Sequence, residues 1–179
     1  TLYKTIGGDP LKRMLVRFEL PEELLNKTIH DAKLVVYCWA VSNFQEGESF
    51  SVHAVNETWD ENTTTWADRS TGSAWTTPGG SFDAVPLVQV PIQSGSYYPK
   101  FDITEKVQEW SSQSSDNSGL MLVNDSAVAT GIKGSEYSEY GRPYLEITWS
   151  SSQGCIPDND KDGDVDGFDL ADFVKDYGI

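Results

Sequence analysis

Apolar and polar residues alternate along the first clear segment of the chain. Met14, Val16, Phe18 and Leu20 alternate with Arg13, Leu15, Arg17 and Glu19. A period of two predicts a strand with one wet face. Pro21 to Leu25 reads as a short helical turn with proline in its first position. Leu34 to Val41 is apolar on both faces and rich in β-formers, which predicts a central strand. Phe50, Val52 and Ala54 alternate with Ser51, His53 and Val55. Phe82 to Val90 is interrupted by Pro86 and reads as an edge strand. Lys100 to Ile103 is short and extended. One helix follows it: Asp102 and Glu105 have capping-box spacing, and Ile103, Val107 and Trp110 share a face. Leu120 to Val123 and Tyr144 to Trp149 complete the strands. Gly, Ser, Asn and Pro cluster between these segments, and no internal repeat is visible. The pattern predicts an all-β sandwich with one short helix.

Composition supports a packed body. Of 179 residues, 38% are hydrophobic and 12% aromatic, so the chain can bury a core. No apolar run approaches the roughly 20 residues that span a bilayer, so no membrane insertion is expected. The opening residues lack a signal-peptide pattern, which suits a mature form or a cytosolic protein. The formal charge is -15. A nucleic-acid binder needs a cationic footprint, and an anionic membrane repels such a chain.

The acid excess is concentrated. Residues 154–179 hold eight Asp and two Lys, a net of -6, which leaves -9 for the rest. Ser150-Ser151-Ser152-Gln153-Gly154 reads as a linker. The expected domains are therefore a body, 1–150, and a C-terminal module, 151–179. Within that module Asp158, Asp160, Asp162, Asp164, Asp166 and Asp169 fall in the register of a twelve-residue EF-hand loop. Gly163 stands where the loop turns sharply, and Val165 where an apolar residue tucks inward. Such spacing converges hard oxygens on a Ca2+ ion. Leu170, Phe173, Val174 and Tyr177 then repeat at helical spacing, which predicts a short calcium loop-helix. Position 12 is Asp rather than Glu, a shorter arm that weakens the site. No helix pattern precedes the loop. In both respects this half-module resembles a dockerin-type repeat, although dockerins carry two repeats and this chain has one. That leaves a calcium-stapled terminus as the expected role.

The body resembles the DNRLRE family, also met as a carbohydrate-binding module and as a disaggregatase-related domain. The resemblance rests on Lys12 to Leu20, Ile29 to Tyr37, Asn56 to Trp66, Trp75 to Gly80 and Phe101 to Trp110, in the family's order. It implies a jelly-roll-like β-sandwich in secreted and surface proteins, with polysaccharide binding in some members. Catalysis in disaggregatases belongs to another part of those proteins. Family members usually begin with a strand before the segment matching Thr1 to Ile6. Its absence here has two readings: the chain is cut or processed before that strand, or the open sheet edge is completed by a neighbouring copy.

Catalytic chemistry has little support. His30 and His53 lack acid or cysteine partners in a triad or metal spacing, and no phosphate loop or nucleophile elbow occurs. Glu57, Asp60 and Glu61 form the nearest acidic cluster and read as a structural loop. Sugar binding uses aromatic faces beside hydroxyl-binding groups. Tyr37 and Trp39 lie on one side of a strand, and Tyr137, Tyr140 and Tyr144 gather near another; the alternative is that these rings are core. Trp59, Trp66 and Trp110 read as core. Cys38 and Cys155 pair in an oxidising compartment, or Cys38 is a buried free thiol. Four of seven Asn (Asn26, Asn56, Asn62 and Asn124) open glycosylation sequons. The expectation is a non-enzymatic, extracellular or cell-surface protein. Its partner is a polysaccharide or further copies of itself in a filament, sheath or surface layer.

Overall fold

In the computed structural model, residues 2–7, 12–42, 46–124, 129–132 and 141–150 are described. They form a β-sandwich of two layers. The first is a five-stranded sheet in the order β1 (Leu2–Gly7), β2 (Lys12–Arg17), β11 (Leu120–Asn124), β5 (Ser49–Ala54) and β8 (Val88–Pro91). The second is built from two three-stranded sheets. One contains β10 (Lys100–Asp102), β3 (Thr28–Val35) and β13 (Tyr144–Ser150). The other contains β12 (Ala129–Ile132), β4 (Cys38–Ser42) and β9 (Gly95–Tyr97). The chain crosses between the layers after β2, β4, β8, β10 and β11, and β6 (Asp68–Ser70) and β7 (Ser73–Ala74) make a separate small hairpin. The expected all-β sandwich is thus observed.

Leu34 to Val41 does not run as one strand. It breaks at Val36–Tyr37 between β3 and β4. The break changes direction without changing register. Lys100 lies opposite Val35 and Cys38 opposite Tyr97, so the same antiparallel pairing continues through Tyr37 and Tyr98. The two three-stranded sheets are accordingly one layer, bent at Val36–Tyr37 and Tyr98–Pro99. Pro99 has no N–H to give to the ladder, and Val36 N–H donates to Pro99 O across the bend at 3.4 Å. β3 also begins earlier than expected, at Thr28, and His30 is an exposed residue of it.

The main core lies between the layers. Met14, Val16, Phe50, Val52, Leu120 and Leu122 meet Ala32, Leu34, Val36, Cys38 and Phe101. Helix α1 (Thr104–Ser111) closes one end with Val107 and Trp110. Asp102 does not cap it as the expected box. The N-cap is Ile103, and Asp102 Oδ1 instead accepts the Thr104 N–H and hydroxyl at 3.1 and 2.7 Å. The helix then extends the pairing of β3 where β10 stops. Thr104 Oγ1 accepts the Ala32 N–H, Gln108 Oε1 accepts the Ile29 N–H, and Ser111 Oγ accepts the Lys27 N–H while donating to Leu24 O. Positions 104, 108 and 111 share one helical face, so three side chains satisfy the strand backbone as another strand would.

β2 has no wet face. Leu15 is fully buried in a second cluster with Ile6, Val55, Trp59, Trp75, Met121 and Val123. The long connection between β5 and β8 folds over the outer face of the five-stranded sheet and supplies those tryptophans. Its clasp is Arg13, whose guanidinium sits 4.9 Å from the centroids of both Trp66 and Phe82 and donates to Gly79 O at 2.9 Å. Gly79 N–H in turn donates to Trp66 O. Gly79 has φ +90, and a Cβ there would lie 2.6 Å from Arg13 Nη1 and 2.7 Å from the Trp66 ring. Only glycine fits this crossing.

Candidate functional site

The outer face of the bent layer carries the exposed aromatics. Cys38 points into the core, so its neighbours Tyr37 and Trp39 face outward. Trp39 is 47% exposed and Tyr98 is 49% exposed. Tyr37 is half-buried and stacks on Tyr98, with centroids 4.7 Å apart and planes 30° from parallel. The two tyrosines are brought face to face by the bend: the register places them opposite each other at the point where the ladder lapses. Stacked rings with an exposed indole two residues along make a flat apolar strip about 7 Å long on the β-strand rise. Tyr98 went unnoticed in the sequence because the polar Gly95-Ser96-Tyr97 segment gives no strand signal. Its companion Tyr97 faces inward, where burial raises its phenol and the hydroxyl accepts the Gln93 N–H at 3.0 Å.

Toward β10 and β13 the same face becomes charged. Lys100, opposite Val35, meets Glu146 at 2.8 Å across β3. Val35 of β3, opposite Lys100, is fully buried. Lys33 pairs with Asp31, which raises the lysine through their hydrogen bond. The strip therefore has a polar flank able to meet hydroxyl groups.

The acids expected to be structural are structural. Glu57 accepts the Thr76 N–H and hydroxyl, each at 3.0 Å, and bonds with Ser81 and Thr76 hold its carboxyl below the ordinary range. Asp60 accepts the Asn62 N–H, the Thr63 N–H and the Thr63 hydroxyl, and the Thr63 hydroxyl bond leads in depressing it. Carboxyls so held stay ionised and are poor proton donors. His53 is buried; its Nδ1 donates to Asp83 O at 2.7 Å and its Nε2 accepts the Ser51 hydroxyl at 2.9 Å. Both ring nitrogens are thereby engaged in holding the loop. Trp59 and Trp110 are buried as expected, whereas Trp66 is only half-buried beneath Arg13.

Cys38 is a buried thiol, and burial pushes it up to about 12. Its expected partner Cys155 lies outside the described residues, as do Tyr137, Tyr140 and all six aspartates of the calcium loop, Asp158, Asp160, Asp162, Asp164, Asp166 and Asp169. Asn26, Asn56 and Asn62 are exposed; Asn124 is half-buried at the end of β11, with its Nδ2 buried. No described helix is long and apolar enough to cross a membrane.

Residues 3–149 match the sequence profile of carbohydrate-binding module family 96. No curated protein matches the chain.

Proposed function

Because the chain belongs to carbohydrate-binding module family 96, we propose that it holds a polysaccharide outside the cell, non-catalytically, on the strip formed by Trp39, Tyr37 and Tyr98. The stacked tyrosine pair beside an exposed tryptophan carries this reading, because sugar rings present apolar faces to such surfaces and hydroxyls to the charged flank. Tyr137 and Tyr140, outside the described residues, are proposed as further sugar-binding rings. The C-terminal loop, Asp158 to Asp169, is proposed to bind Ca2+ and to order the terminus, and Asn26, Asn56, Asn62 and Asn124 to carry glycans in a glycosylating host. Affinity electrophoresis of Trp39→Ala and Tyr98→Ala in gels containing soluble polysaccharides tests the strip. Each change is expected to weaken retention about tenfold, as truncating an aromatic anchor costs about 1.5 kcal/mol or more. Retention equal to the unaltered protein in both variants would remove the strip from consideration. The calcium loop is tested by limited proteolysis: chelator should expose the segment after Ser150 to trypsin, and unchanged resistance rules the ion out.

A second reading has its own observation. β1 is the outermost strand of its sheet and pairs only with β2 among the described strands. Its other edge is a template for a strand from another copy, as in an extracellular filament, sheath or surface layer. Negative-stain micrographs with calcium and with chelator separate the readings. A monodisperse monomer in light scattering with calcium present defeats assembly.

A further inference from the structure

A second concavity opens at the end of the sandwich, on elements that do not contribute to the aromatic strip. It lies between the end of β2, the turn after Pro21 and the C-terminus of α1, and its volume is about 490 Å³. Its floor is apolar, made by Phe18, Leu20, Leu25 and Trp110; its rim is polar, made by Arg17, Glu19, Gln113 and Asp116. A volume of this size suits a small ligand such as one or two sugar rings.

One feature above all marks this cleft as built for a ligand. It is Gln113. Helix α1 ends in a Schellman motif, with Gln113 N–H donating to Trp110 O at 3.2 Å and Ser114 N–H donating to Glu109 O at 3.0 Å. Gln113 occupies the left-handed position of that motif, with φ 57. Glycine is the residue favoured there, because a Cβ strains the turn. The glutamine gains nothing visible in return: among the described residues its side-chain amide makes no hydrogen bond, and it lines the cleft instead. A strained residue without a structural reward points to function. Trp110, only 4% exposed, closes the floor beside it.

We infer that this cleft is a second sugar subsite that takes one neutral sugar unit, with Gln113 as its polar anchor. The inference rests on the carbohydrate reading above. Neutrality follows from the rim, where two carboxylates, Glu19 and Asp116, outnumber one guanidinium. Arg17 is also drawn aside, since it lies 5.5 Å over the Trp59 ring and helps depress Asp60. An anionic sugar meets net repulsion there, whereas hydroxyls find acceptors in the carboxylates and both partners in the amide.

The test is a ¹H–¹⁵N correlation titration with methyl glycosides of glucose, galactose and mannose, and with methyl glucuronide as the anionic counterpart. At least one neutral glycoside is expected to shift the Trp110 indole signal and the amides of residues 113–117 saturably, while the glucuronide does not. Gln113→Gly should raise Tm by about 2 °C by relieving the turn and weaken the cleft response about fivefold to tenfold. Gln113→Ala should weaken it equally without the gain in Tm. Trp39→Ala should leave it unchanged. Shifts confined to the Tyr37–Tyr98 strip would overturn the cleft and leave the strip standing. Shifts at the cleft with none at the strip would support the cleft and count against the strip. Equal response to the glucuronide, or unchanged affinity in Gln113→Gly, would overturn the assignment.

Discussion

Replacing Arg13 with methionine should release the tryptophan-rich connection from the sheet beneath it. The substitution keeps most of the side chain's apolar length and removes its charge and donors. The guanidinium lies 4.9 Å from two ring centroids, in a half-buried setting. Each such contact contributes about 1 kcal/mol, between the exposed and desolvated limits. The bond to Gly79 O at 2.9 Å adds about 1.5 kcal/mol for a charged donor. The sum is about 3.5 kcal/mol, of which methionine packing returns a part, so a loss of about 2–3 kcal/mol is expected. In urea unfolding with a slope near 2 kcal/mol/M, the midpoint should fall by about 1–1.5 M. Hydrogen exchange supplies the local readout. The Gly79 amide, bound to Trp66 O, should lose protection ahead of the β2 and β11 amides. A double-mutant cycle with Trp66→Leu should show a coupling of about 1 kcal/mol. A loss below about 1 kcal/mol, or a Gly79 amide as protected as before, would refute the clasp.

The remaining expectations concern titratable groups and packing. With its thiol pushed up to about 12, Cys38 should hold roughly one part in ten thousand as thiolate at pH 8; iodoacetamide should label it only under denaturant, and rapid native labelling would show the site is open. Asp102, Glu57, Asp60 and Glu109 are all held below their ordinary values, chiefly by side-chain hydrogen bonds from Thr104, Ser81, Thr63 and Lys106. Their folded values lie below the unfolded ones, so the stability they add is complete above the carboxylate range and drains away as pH falls through it. Thermal melts should accordingly drop below about pH 4, and a Tm that rises on acidification would contradict the sign. Phe101→Ala, at a fully buried site beside the helix, should cost about 3–5 kcal/mol, read from urea midpoints; a cost under 1 kcal/mol would show that the site collapses without a cavity.

Elements with a strong period were legible and elements made by tertiary contacts were not. The alternations at Met14–Phe18 and Phe50–Ala54 predicted β2 and β5 because each has a core-facing set two residues apart. Leu15 broke the pattern, and the reason lies some forty to sixty residues away, in the tryptophans that cover it. Leu34 to Val41 read as one strand because apolar content says nothing about where a ladder bends; Pro99, across the sheet, sets that. The hairpin Asp68–Ser70 and Ser73–Ala74 is polar and exists through its loop's hydrogen bonds, including Thr65 N–H to Asp68 O at 2.8 Å. At the candidate site, Tyr37 and Trp39 were found from side-alternation alone. Tyr98 needed the register, since nothing in Ser96-Tyr97-Tyr98-Pro99 distinguishes an outward ring from a core ring.

The aromatic residues divide by which face of which layer they meet, and that division selects where a flat ligand can lie. Phe50, Phe101 and Trp110 fill the space between layers. Trp59, Trp66, Trp75 and Phe82 are spent on the outer face of the five-stranded sheet, which the long connection seals over Leu15, Met121 and Val123. That face offers no ring to a sugar without unfolding the clasp, at the cost worked out for Arg13. The outer face of the bent layer leaves Trp39 and Tyr98 each about half exposed. On the proposed strip an extended polysaccharide would run across β4 and β9 at the bend, where the lapse in the ladder lets Tyr37 and Tyr98 tilt together. Straightening the bend would separate them. Replacing Pro99 with a residue that restores the N–H should favour a straighter ladder and weaken polysaccharide retention while leaving the fold intact. Unchanged retention in Pro99→Val would show that the tilt of the pair is incidental to binding.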